Sequence, residues 1–253
     1  MIARLLIVIA LLAVTACITT TTGPTIQRND AEAAAINLNL GINYLRQGNM
    51  EQARIKLERS IKFDSKSSTA HRLLGLVYEQ LGDTKSAEEQ YRIAVRQGPK
   101  DADALTQMAI FLCTQKGDQE GALAYFDRAL DIPLYQQRYL LFTNAGTCAK
   151  SLDLELAENY LRRGLELNPN YPEALLQLGD VAYQRGNYLQ SRAFVERYLA
   201  SANPSSQALW LGYKLENALG HADAANVYAK QLVRDFPESA ETGLLLEQRR
   251  NAG

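Results

Sequence analysis

A block of about 34 residues, marked by small and aromatic side chains at fixed offsets, recurs along this chain and restricts the folds open to it. In residues 68–101, two helical patterns flank the pair Gly82-Asp83. In the first, Leu74, Gly75 and Tyr78 recur at i, i+1 and i+4. In the second, Ala87, Tyr91 and Ala94 fall at i, i+4 and i+7, the spacing that aligns side chains on one helix face. Pro99 ends the unit. The small residues Gly75, Ala87 and Ala94 let two helices approach closely, while Leu74, Tyr78 and Tyr91 fill the space between them. A hairpin this short cannot bury its own apolar stripe, so it requires neighbours of the same kind.

Those neighbours are present. Gly41, Tyr44, Ala53 and Leu57 repeat the offsets of Gly75, Tyr78, Ala87 and Tyr91. Downstream, Gly146, Gly179 and Gly212 follow one another, and Pro169, Pro204 and Pro237 close their units. A middle copy (Ala109, Leu112, Ala122, Phe126, Ala129) carries a one-residue insertion around Gly117. The pattern resembles the tetratricopeptide repeat. That resemblance implies an all-α, right-handed α-solenoid of about six helix-turn-helix repeats, ended by a capping helix over residues 238–250. We expect residues 30–253 to form this one domain.

The chain has 253 residues and is 47% apolar, which is enough for a sizeable core. Its formal net charge is −1. This is not the clustered basic footprint that nucleic acid requires, and we expect no nucleic-acid partner.

Residues 1–16 read as a leader. Arg4 supplies the positive end, and residues 5–13 are an apolar run too short to span a bilayer. The leader closes on Val14-Thr15-Ala16-Cys17, which resembles the bacterial lipobox. The resemblance implies lipidation of Cys17 and cleavage before it. An ordinary signal peptide with an incidental Cys is the alternative. More than one acyl chain makes attachment to a membrane effectively stable. Ile18 stands where an Asp would, by resemblance to enterobacterial sorting, hold a lipoprotein at the inner membrane, so the outer membrane is the expected location. Residues 17–29 read as a Thr-rich tether after the lipidated Cys.

The first helix begins behind the N-cap candidate Asn29. Ile36, Leu40 and Tyr44 form one stripe, expected to pack on the second helix of the same repeat. Leu38, Ile42 and Leu45 form another on nearly the opposite side. In the tetratricopeptide arrangement this second stripe lines the concave groove, with Leu76 continuing it between Arg72 and Glu79. It is either an exposed apolar docking groove or a surface covered by the tether or the next repeat. Trp210, on the first helix of the sixth repeat, reads as packing, with Asp180 and Tyr183 in a wetter part of the groove.

Beyond Cys17, the cysteines are Cys113 and Cys148, on first helices of adjacent repeats. In an oxidising compartment such a pair is expected to form a disulfide; two buried thiols are the alternative. The two histidines, His71 and His221, read as surface residues. No metal-ligand spacing, nucleophile motif or phosphate loop is present, so we expect no enzyme, cofactor or metal.

One stretch is more specific than the repeat. Phe111-Leu112-Cys113, Pro133-Leu134-Tyr135 and Asn144-Ala145-Gly146-Thr147-Cys148-Ala149, together with the lipobox and six repeats, resemble the PilF/PilW family of type IV pilus biogenesis lipoproteins. Gln107-Met108-Ala109 departs from that family's Asn-Tyr-Gly. The resemblance implies a pilotin, lipid-anchored on the periplasmic face of the outer membrane, that helps the pilus secretin localise and assemble; the sequence leaves the oligomeric state open, with a monomer expected. An adaptor lipoprotein of another envelope machine, in outer-membrane protein assembly or polysaccharide export, is the competing expectation.

Overall fold

The structure, a computed structural model, describes residues 29–252; the leader, Cys17 and all of the expected tether except Asn29 lie outside the described residues. Thirteen α-helices and one π-helical turn make up the described chain, with no strand among the described residues. They are α1 (Asp30–Arg46), α2 (Met50–Phe63), α3 (Ser68–Gln80), α4 (Thr84–Gln97), α5 (Ala102–Phe111), α6 (Gln119–Leu130) and α7 (Arg138–Ala149). After these come α8 (Leu154–Leu167), α9 (Pro172–Gln184), α10 (Tyr188–Ser201), α11 (Ser206–Ala218), α12 (Ala222–Asp235) and α13 (Ala240–Ala252). Helices pack in consecutive pairs from α1·α2 to α11·α12. Each pair touches the next, and first helix also meets first helix along one side of the stack.

Side-chain caps define the starts of most helices. Asn29, Asn49, Ser67, Asp83, Asp101, Asp118, Asp153 and Ser205 each accept a hydrogen bond from a backbone N–H in the first turn. Within a pair, the helices meet over small residues. A Cβ added to Gly75 would lie 2.6 Å from the Tyr91 ring, so only glycine admits that ring at this crossing. Tyr91 is fully buried and lies 5.3 Å from Phe111, joining the second repeat to the third. Ser60 and Ser191 occupy the small position of their second helices, where their hydroxyls donate to the carbonyls of Ala34 (2.9 Å) and Gly179 (2.8 Å). The buried polar atoms are thereby satisfied. At the far end, α13 packs on α11 and α12 with Leu245 fully buried, and Thr242 donates to the Phe236 carbonyl at the end of α12.

The insertion in the third repeat takes a definite form. Residues Leu112–Lys116 widen into a π turn, and Gly117 follows in the left-handed region (φ 65°). The extra residue is absorbed inside the first helix, and α6 still starts on its Asp118 cap.

Inter-repeat hydrogen bonds from tyrosines to carboxylates add a pH dependence. The Tyr160 hydroxyl donates to Asp127 (2.7 Å) and that of Tyr135 to Asp103 (2.9 Å). Burial, followed by these carboxylates, pushes both phenols up to about 12. The native state therefore favours the protonated phenol. Its contribution is complete below the ordinary tyrosine range near ~10 and is lost as pH rises from there through about 12. The urea midpoint should fall across that interval, and Tyr160→Phe should make the fall shallower.

Candidate functional site

The described half of the sequence expectation is concentrated in α1. Ala34, Asn37 and Gly41 are its buried residues, and they face α2; the Asn37 amide donates back to the Ala33 carbonyl at 2.7 Å. This corrects the expectation for the first stripe. Tyr44 packs inward, but Ile36 is 52% and Leu40 37% exposed. The reason lies one repeat further on. The corresponding residues of α3, Ala70 and Leu74, are buried, and Leu74 packs with Leu57 and Ala53 of the preceding repeat. No repeat precedes α1 among the described residues, so the same positions stay open there.

The second stripe is intermediate in burial. Leu38 and Leu45 lean on the cluster of Ala53, Leu57, Leu74 and Val77, while Ile42 and Leu76 are half-buried outside it. Leu38 also lines a cleft of about 420 Å³ with Ala31, Ala35 and Ser60. The first repeat therefore carries apolar side chains on two sides of one helix, with Ile36 and Leu40 the more accessible.

Beyond Leu76 the groove turns polar, as expected from Arg72 and Glu79. The Tyr91 hydroxyl donates to Glu79 (2.7 Å), and burial with that carboxylate raises the phenol. The Arg72 Nε atom is buried without a hydrogen-bond partner among the described residues.

His71 is a second correction. It is buried, with Nδ1 2.7 Å from the Gln90 amide oxygen and Nε2 3.2 Å from the Ser65 carbonyl oxygen, so polar partners hold it inside the repeat. His221 is exposed at a turn, as expected, 3.0 Å from Glu216. Glu216 is buried. Its burial disfavours charge, but hydrogen bonds from Arg192 and His221 outweigh this and hold the carboxyl below its ordinary value.

Cys113, on the π turn, and Cys148, on α7, face each other with Cα atoms 6.0 Å apart, a separation a disulfide spans.

Toward the C-terminal end, α7, α9, α11 and α13 enclose a polar pocket in which Asp180 and Trp210, both singled out from the sequence, meet Lys150, Lys214 and Glu241, which were not. Lys150 sits 2.5 Å from Asp180 and 2.6 Å from the Gln177 amide oxygen. The Lys214 ammonium lies 4.7 Å from the Tyr183 ring centroid and 5.9 Å from that of Trp210, and Trp210 stacks on Tyr213. These groups come from separate repeats, so no spacing within one motif marks them.

Among the described residues, no group of three His, Cys, Asp or Glu could hold a metal ion, and no helix is long and apolar enough to cross a membrane. What the stack offers is a long surface of first helices, apolar at one end and polar further along. This is the build of a protein-binding scaffold.

Profiles of the tetratricopeptide repeat family match residues 38–102, 72–137 and 151–211, so the chain is a tetratricopeptide repeat protein. It is 31% identical over 215 residues to the type IV pilus assembly protein PilF of Pseudomonas aeruginosa, covering 85% of this chain and 84% of that one. The crystal structure of PilW, described as a widely conserved type IV pilus biogenesis factor, superposes with a TM-score of 0.80 at 30% identity, over 85% of this chain and 99% of PilW. The structure of Pseudomonas aeruginosa PilF superposes with a TM-score of 0.76 at 29% identity, over 87% of this chain and 99% of that one. The chain belongs to the PilF/PilW family of type IV pilus biogenesis proteins.

Proposed function

We propose that this protein is a pilotin: an outer-membrane lipoprotein that docks unassembled subunits of the type IV pilus secretin and promotes their localisation and multimerisation. In this reading, residues 1–16 are removed, Cys17 carries the acyl chains and residues 17–29 tether the repeat domain of residues 30–253. The observation that carries the reading is the uncovered apolar surface of the first repeat, in a chain whose family serves pilus biogenesis. Ile42, Leu38, Leu45 and Leu76 form the floor of the groove, and Ile36 and Leu40 enlarge it at the open edge. An apolar partner segment laid along α1 would gain roughly 25 cal/mol for each Å² it removes from water. The Cys113–Cys148 pair, bridged in the oxidising periplasm, would hold the third and fourth repeats at a fixed spacing behind that surface.

The test uses the lipidated protein in its native host. Leu38→Asp with Ile42→Asp is expected to abolish heat-resistant secretin multimers and twitching, while the variant remains folded in the outer-membrane fraction. Because Leu38 also packs inward, Ile36→Asp with Leu40→Asp provides a version that disturbs the fold less. Normal multimers and motility with both folded pairs would rule the groove out. Cys17→Ser should move the protein to the soluble periplasmic fraction.

A further inference from the structure

We propose that the pocket between α7, α9, α11 and α13 is a second protein-docking site, which takes an extended peptide carrying one acidic and one aromatic side chain two residues apart. It stands apart from the first-repeat groove and does not depend on it.

The pocket has a volume of about 240 Å³, enough for a side chain or two but below the usual 300–1,000 Å³ of small-molecule sites. Its two lysines are in different electrostatic situations. Lys150 is neutralised by Asp180. Lys214 has no carboxylate partner among the described residues, and its ammonium rests against the faces of Tyr183 and Trp210. A ring face attracts a cation by about 0.5–1 kcal/mol at an exposed site, which is less than a charge-assisted hydrogen bond supplies. Lys214 is therefore a cation open to a better partner, and that partner is a carboxylate.

Trp210 supplies the second recognition element. Its indole is half-buried and its N–H has no hydrogen-bond partner among the described residues. It lines the polar pocket on one side and, with the half-exposed Leu244, an adjoining open cleft on the other. Trp210 packs on the core cluster of Leu209, Tyr213 and Leu245, as expected, and its remaining surface borders open space on two sides. Tyr213 already stacks on the indole, and a planar or apolar side chain can pack on the part of it that borders the open cleft with Leu244.

The closeness of the two groups suits a short extended peptide. Lys214 lies 5.9 Å from the Trp210 centroid. In an extended chain, side chains on the same side recur at i and i+2, about 6.6–6.8 Å apart. An acid at one position and an aromatic at the other reach both groups. Glu241 lines the same pocket without an ion pair among the described residues, so the lining holds two lysines and two carboxylates, and Glu241 can accept a peptide N–H. A peptide with a single acid fits better than a free anion because it adds an N–H for Glu241 and a side chain for Trp210.

Trp210 is the only tryptophan, so tryptophan fluorescence of the mature protein reports the surroundings of this site. Two capped heptapeptides of Gly and Ser, holding Glu-x-Phe or Phe-x-Glu, are titrated against it, with Gln-for-Glu versions as controls. At least one acidic peptide should give a saturable change and bind about tenfold more tightly than its Gln control. Lys214→Met should bring the acidic peptide down to the level of its control and leave the control unchanged, and Lys214→Arg should retain the preference. Retained binding by Leu38→Asp with Ile42→Asp separates this site from the first-repeat groove. The proposal is overturned if neither acidic peptide gives a saturable change, if Glu and Gln peptides bind alike, if Lys214→Met leaves the preference intact, or if inorganic phosphate displaces the peptide at equal concentration.

Discussion

Tyr91→Ala is expected to destabilise the protein by about 3–5 kcal/mol, the range for removing a large aromatic from a closed core. The ring is fully buried, occupies the space that the absent Cβ of Gly75 leaves, and meets Phe111 of the next repeat. Its removal therefore weakens both the second hairpin and that hairpin's junction with the third. Because each repeat touches only its neighbours, the loss should divide the unfolding curve: the first two repeats melt early and the rest follows near its original midpoint. Tyr91→Phe separates the contributions. It keeps the ring and loses the hydrogen bond to Glu79, for a cost of about 1–3 kcal/mol. Urea unfolding followed by circular dichroism, with Trp210 fluorescence reporting the last repeats, distinguishes a split curve from a uniform shift.

The second large effect is expected on reduction. The proposed Cys113–Cys148 bridge closes a loop with a sequence separation of 35, for which chain entropy gives about 3–4 kcal/mol of stabilisation. Dithiothreitol should lower the urea midpoint of the mature protein accordingly, and Cys113→Ser with Cys148→Ser should be insensitive to it. An unchanged midpoint on reduction, with thiol titration showing two free groups beforehand, would remove the bridge from the account.

The repeat was legible because its determinants are local. Gly75 and Tyr91, Ala87 and Ala94, and the Asp83 cap recur at fixed offsets, and any stretch that repeats them must build the same hairpin. Burial at the end of the stack was less legible, because it depends on what stands next door. On α1 alone, the stripe of Ile36 and Leu40 and the stripe of Leu38 and Ile42 are equally apolar, and periodicity does not say which is covered. The corresponding Leu74 is covered because it packs on the preceding repeat, and α1 has none before it among the described residues. His71 was misread for a related reason: its partners, Gln90 and the Ser65 carbonyl, are not its neighbours in any motif. The insertion around Gly117 was visible, but its resolution as a π turn rather than a longer loop was not. The pocket of Lys150, Asp180, Lys214 and Trp210 was legible only in part, because its lining is drawn from α7, α9, α11 and α13 and no single repeat contains it.

The neighbour-only packing of the stack bears on how such a molecule tolerates load. Among the described residues, helix α1 is braced chiefly by α2 and, more lightly, by α3. A pull or a clasp at that end is taken up by one joint, and the α13 end stays in place. Strain at one extremity therefore reaches the other only by passing through every junction between them.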